Sequence, residues 1–177
     1  MHTVRCAGPA VFRNQLARDV ACLLDVDDDV QSWSCLSRSF TNGTEAFRPD
    51  FVVESAHSEV IVDVSAKDER PSWLENAVAS SGARLQLLTR ADLPAVRLRN
   101  AKDLLRYARY EASLDDRVRL LAALDEGGSL TVAECMAAFR SDAPIPSLAS
   151  LILNRFVAVD LDEAPIGPET IVRRRRG

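Results

Sequence analysis

Two aspartates on neighbouring extended segments are the residues best placed to do chemistry in this chain of 177 residues. Asp50 precedes Phe51-Val52-Val53, Asp63 sits within Val60-Ile61-Val62-Asp63-Val64, and Ser55-Ala56-His57-Ser58 separates the two runs. β-Branched runs divided by so short a polar stretch predict a hairpin over residues 48–65. A turn centred between Ala56 and His57 sets Asp50 opposite Asp63, whereas a turn displaced by one residue sends them to opposite sheet faces. Facing carboxylates repel unless positive charge stands between them, and a divalent ion is the usual remedy. Asp50 and Asp63 are therefore candidate ligands for a divalent metal ion.

The remaining chemistry-bearing residues are scattered. Cys6, Cys22, Cys35 and Cys135 include no CxxC pair, and His2 and His57 are the only histidines available to help them hold zinc. They read as separate buried thiols. The net charge is −4, which does not mark the whole chain as a nucleic-acid binder. Locally the balance reverses, because Arg173-Arg174-Arg175-Arg176 would attract phosphate through counterion release. A solvated tail with no partner is the plainer alternative.

These residues need elements to position them, and an apolar content of 47% supplies cores for one large domain or two small ones. Phe12, Leu16, Val20, Leu23 and Leu24 recur at helical spacing and predict a first helix over residues 12–25. The acidic run Asp25 to Asp29, broken only by Val26, reads as its solvated exit. An extended segment through Gln31 to Phe40 follows. After the hairpin, a helix is expected from Pro71 to Ser81 with Gly82 closing it, then a buried strand through Leu85-Gln86-Leu87-Leu88. Helix, hairpin, helix and strand describe a mixed α/β core.

Near Asn100 the pattern becomes helical, with no further apolar strand expected before Val157. Leu104, Leu105, Tyr107 and Ala108 support one helix; Leu114, Val118, Leu121 and Leu124 support another, stopped by Gly127-Gly128. Thr131 and Glu134 have the spacing of a capping box, and a further helix is expected from Ser147 to Phe156. The end alternates through Val157 to Leu161, turns at Pro165-Ile166-Gly167-Pro168 and resumes at Thr170. Three helices followed by a hairpin are the winged-helix plan. Two domains are thus expected, residues 1–100 and 101–177.

Four ordered blocks give the chain a family resemblance: Leu23-Leu24-Asp25-Val26-Asp27-Asp28-Asp29-Val30, Pro49-Asp50-Phe51-Val52-Val53, Ile61-Val62-Asp63-Val64-Ser65, and Leu88-Thr89-Arg90-Ala91-Asp92-Leu93 with Arg99-Asn100 and Leu104-Leu105. With them the chain resembles TnsA-like endonucleases, the PD-(D/E)xK subunit of heteromeric transposases. The resemblance implies a restriction-endonuclease-like α/β core followed by a winged-helix-like domain. It also implies a site in which carboxylates hold magnesium while a lysine and the metal activate water and stabilise charge on the phosphate. Asp50 matches the metal aspartate and Asp63 the second acidic position. The family's helix-one glutamate falls at Ala17 and its lysine at Ser65, so two of four site residues are replaced. Lys67, two residues beyond Ser65, is the candidate for repair, whereas Asp19 is turned away from the position of Ala17.

The function expected is that of a nuclease-derived transposition protein or a domesticated relative, acting on DNA or transposase partners with little or no cleavage. The alternatives are an active magnesium-dependent endonuclease cutting at transposon ends through Asp50, Asp63 and Lys67, and a winged-helix transcription regulator whose N-terminal domain dimerises. DNA contacts are assigned to Arg155 and Arg173 to Arg176. Ser147, Ser150 and Asn154 complete a sparse set on the candidate recognition helix, and that helix reads more as core, in a domain that docks onto another transposition protein. A homodimer is compatible with all three readings. No run of apolar residues is long enough to span a membrane and no signal peptide opens the chain, so the cytoplasm is the expected location, at the nucleoid if DNA is the partner.

Overall fold

Asn14 starts the first helix by turning its side chain back onto the chain, where Oδ1 accepts the N–H of Ala17 at 2.8 Å. In the computed structural model, which describes residues 2–65 and 70–175, α1 runs Gln15–Val26. Lys67 and Arg176 lie outside the described residues. Among those described, the chain is mixed α/β, with six α-helices and three sheets, and divides into two units, Thr3–Pro94 and Ala95–Gly177. The division falls at the start of a helix rather than at Asn100, which lies inside it. No helix among the described residues is long and apolar enough to cross a membrane.

In the first unit, strands β1 (Val30–Cys35), β4 (Phe51–Ser55), β5 (Glu59–Val64) and β6 (Arg84–Leu88) form one sheet in that order. The pairs β1/β4 and β4/β5 are antiparallel, and β5/β6 is parallel. A parallel partner requires a crossover, and helix α2 (Leu74–Ser80) supplies it, ending where Gly82, at φ 81°, donates its N–H to Ala79 O. Alternation along β4 and β5 divides the core. Phe51, Val53, Val60 and Val62 pack with Ala17, Val20 and Trp33 on the α1 side, and Val52 and Ile61 pack with Phe40, Leu74 and Val78 on the α2 side.

The hairpin register is the one the sequence predicts, Phe51 with Val62 and Val53 with Val60. Three expectations are corrected. β6 is not buried: Arg84, Gln86 and Leu87 are exposed, because the strand ends the sheet and is only half covered on each face. Asp25 is not the solvated exit of α1 but is completely buried, its Oδ1 accepting the Arg5 N–H and the Trp33 indole N–H, both at 2.9 Å, and its Oδ2 the Val4 N–H at 3.2 Å. Three donors offset part of the desolvation of this carboxylate, and burial still holds its carboxyl above the ordinary range. A small hairpin, β2 (Phe40–Asn42) and β3 (Glu45–Phe47), turns at Gly43 where only an extended segment was foreseen.

The second unit begins with α3 (Ala95–Leu105) and α4 (Leu114–Gly127), which ends at Gly128, φ 75°. Then follow β7 (Ser129–Thr131), α5 (Val132–Ala138), α6 (Pro144–Leu153), β8 (Val157–Val159) and β9 (Ile171–Arg174). Thr131 and Glu134 form the expected capping box. β7 is an addition to the expected helices, and β9 pairs antiparallel between β7 and β8. α6 starts earlier than Ser147 because Pro144 occupies its first position, where a missing N–H costs nothing.

The buried face of α4 also differs from expectation, since Leu114 and Val118 are 65% and 55% exposed. The helix is rotated so that Asp116, Leu120 and Leu124 point inward. Asp116 earns that place by bonding: its Oδ1 accepts the Arg140 N–H at 2.9 Å, fixing the loop between α5 and α6.

A candidate carboxylate centre

The register carries Asp50 and Asp63 to matching ends of β4 and β5, where their side chains are only 3% and 4% exposed. Asp50 is fixed on both sides: its backbone O accepts the Leu36 N–H, and Oδ2 accepts the Val64 N–H, each at 2.9 Å. Burial, reinforced by the neighbouring Asp50 charge, pushes the Asp63 carboxyl up to about 6. Two arginines oppose that shift. Arg13 Nη1 lies 3.6 Å from Asp50 Oδ1 and 3.9 Å from Asp63 Oδ1, and Arg70 Nε lies 3.9 Å from Asp63 Oδ2. Arg13 is held in place by a hydrogen bond from Nη2 to Arg48 O.

Neither arginine was singled out in the sequence. The usable signal was indirect, because two facing buried acids demand a cation and Arg13 immediately precedes the residue that caps α1. Ala17 is fully buried in the α1-side core and presents no ligand atom. Ser65 is half-buried at the end of β5 and donates its N–H to Leu88 O at 3.2 Å. Asp19 is committed elsewhere, with Arg90 Nη1 at 3.0 Å and Gln15 Nε2 at 2.8 Å.

The donor set fits a divalent ion poorly. All four carboxylate oxygens of the pair already face a nitrogen: Val64 N, Arg13 Nη1 twice and Arg70 Nε. Magnesium holds its oxygen ligands at about 2.1 Å, and an ion bridging the two Oδ1 atoms would crowd against the guanidinium that now faces both. Among the described residues, no group of three or more His, Cys, Asp or Glu side chains could hold a metal.

Cys22 and Cys135 are buried, and Cys6 and Cys35 are half-buried. Cys6 and Cys35 are not scattered but neighbours, and burial together with Cys35 pushes the Cys6 thiol up to about 11.

The residues expected to meet DNA lie in the second unit. Ser147 and Ser150 are buried and committed: Ser147 Oγ is 3.4 Å from Asp116 Oδ2, and Ser150 Oγ accepts the Ala112 N–H at 3.2 Å. Five consecutive residues of α6, Ser147 to Leu151, are buried, with α3 packed against the helix. Arg155 is half-buried at φ 61°, just past the end of α6. On β9, Arg173 is exposed and Arg174 is ion-paired with Asp125; Arg175, just past the strand, is half-buried. The sequence matches no protein-family model and no curated protein.

Proposed function

We propose that this is a nuclease-derived protein of the TnsA-like kind, a restriction-endonuclease-like core followed by a winged-helix-like domain, which serves transposition or a domesticated role by binding partners rather than by cutting DNA. The observation that carries the reading is the pair Asp50 and Asp63, two buried carboxylates at matching ends of adjacent strands. Two antiparallel strands followed by a helix and a parallel strand support the same core. Helix, strand, two helices and a hairpin closing on β7 support the winged-helix assignment for the second unit.

Loss of cleavage follows from the same residues. Phosphodiester hydrolysis needs an ion or strong electrophile on the phosphate and a positioned water. The carboxylates meet arginines here, and Ser65 has no positive charge to offer. The burial of α6 favours a protein, a transposase subunit or other transposition component, over base reading in the major groove. Phosphate contact by the exposed Arg173 remains compatible with it.

Incubating the full chain with supercoiled plasmid and manganese, with and without plasmid-borne transposon ends, tests the reading. Nicking should match that of Asp50→Ala throughout. Cleavage that disappears in Asp50→Ala overturns it in favour of an active endonuclease.

A further inference from the structure

We infer that Arg13 is the resident counter-ion of the Asp50–Asp63 pair, standing in the place a divalent metal would otherwise have to fill, so that the centre is closed by a guanidinium.

The argument starts from a cost. Two carboxylates with side chains 3% and 4% exposed, on adjacent strands, lose hydration and repel each other. Such a pair is relieved by a proton on one acid or, where both are ionised at neutral pH, by positive charge beside it. Arg13 Nη1 is that charge for both at once, 3.6 Å from Asp50 Oδ1 and 3.9 Å from Asp63 Oδ1. The approach is fixed, since the second terminal nitrogen is bonded to Arg48 O, on the connection leading into β4. Arg70 faces the outer oxygen of Asp63, and the Val64 N–H takes the remaining oxygen of Asp50. One arginine therefore ties the segment before α1 to both strands of the hairpin. The assignment rests on these side chains alone and stands whether or not the fold descends from a nuclease.

Arg13 is also the accessible member of the set, its side chain 39% exposed. Removing it should leave two acids with an opening in front of them, and a small hard cation suits that vacancy where it did not suit the native centre.

The test is the melting temperature of the full chain and of Arg13→Ala at neutral pH, each with and without millimolar manganese. Wild type should ignore manganese. Arg13→Ala should melt several degrees lower, because the two acids then keep only Arg70 beside them, and manganese should restore a substantial part of the loss. Equal manganese stabilisation of both proteins, an unaltered melting temperature in Arg13→Ala, or a loss that manganese does not repair each overturns the proposal. If Arg13→Ala fails to fold, Arg13→Ala combined with Asp63→Asn decides: recovered folding supports the counter-ion role, and continued failure overturns it.

Discussion

The indole N–H of Trp33 donates to Asp25 Oδ1 at 2.9 Å, with tryptophan and carboxylate both buried. Val4 and Arg5 donate their backbone N–H groups to the same carboxylate, so one side chain pins the N-terminal segment, the end of α1 and strand β1. Asp25→Ala strands three donors and should destabilise the protein by about 3 kcal/mol. Urea unfolding followed by tryptophan fluorescence measures this, and a loss below about 1 kcal/mol would show that water replaces the carboxylate.

The raised Asp63 carboxyl gives a pH dependence of definite sign. Its native value of about 6 exceeds the ordinary 3.8, so between these pH values the native state binds more protons than the unfolded chain. The contribution of this group to stability is therefore greatest at the acidic end, falls as pH rises from 3.8 to about 6, and is constant above. Asp63→Asn removes the titration. The stability difference, wild type minus Asp63→Asn, should fall by roughly 3 kcal/mol across that window. A flat difference would place the Asp63 carboxyl in the ordinary range, and a rising one would place it below that range.

Asn100 makes a comparable clamp in the second unit. Its Nδ2 donates to Leu161 O and Ala164 O at 2.9 Å each, and its Oδ1 accepts the Ile166 N–H at 3.0 Å. The loop between β8 and β9 is thus fixed by one amide. Asn100→Leu should cost about 3 kcal/mol and expose the Ile166 amide to rapid hydrogen exchange, while amides of the first unit keep their protection.

Phosphate binding, where it occurs, should run through Arg173 more than Arg174, because Arg174 is already paired with Asp125. Arg173→Gln should reduce the salt slope of duplex binding by about 0.9, the value of one phosphate contact, and Arg174→Gln should change it by less. Identical slopes in all three proteins would remove β9 from any DNA surface.

What the sequence made legible was local. The hairpin register could be read because two β-branched runs flank the six residues Glu54 to Glu59, and once Phe51 opposes Val62 the meeting of Asp50 and Asp63 follows. The capping box at Thr131 and Glu134 is local in the same way. What escaped depends on distant partners. Asp25 looked solvated within an acidic run, because its donors come from Val4, Arg5 and Trp33 on other segments. Arg13 and Arg70 reach the carboxylates from opposite sides in sequence, and no spacing rule joins them. Asp116 displaced Leu114 and Val118 from the inward face of α4 through a bond to Arg140, a preference that apolar periodicity is unable to express.

The order of the first sheet has a consequence for self-association. One terminal strand, β1, is accompanied by the N-terminal segment, where Cys6 bridges Trp33 in parallel. The other, β6, has β5 as its only neighbour among the described residues. Its outer N–H and C=O groups form the rim along which a further strand could be stitched. Arg84 and Gln86 make that rim polar, and Arg84 gives it a charge that repels its own copy in register. The first sheet, among the described residues, thus concentrates its exposure to uncontrolled strand addition in one five-residue segment and places a deterrent at its first residue.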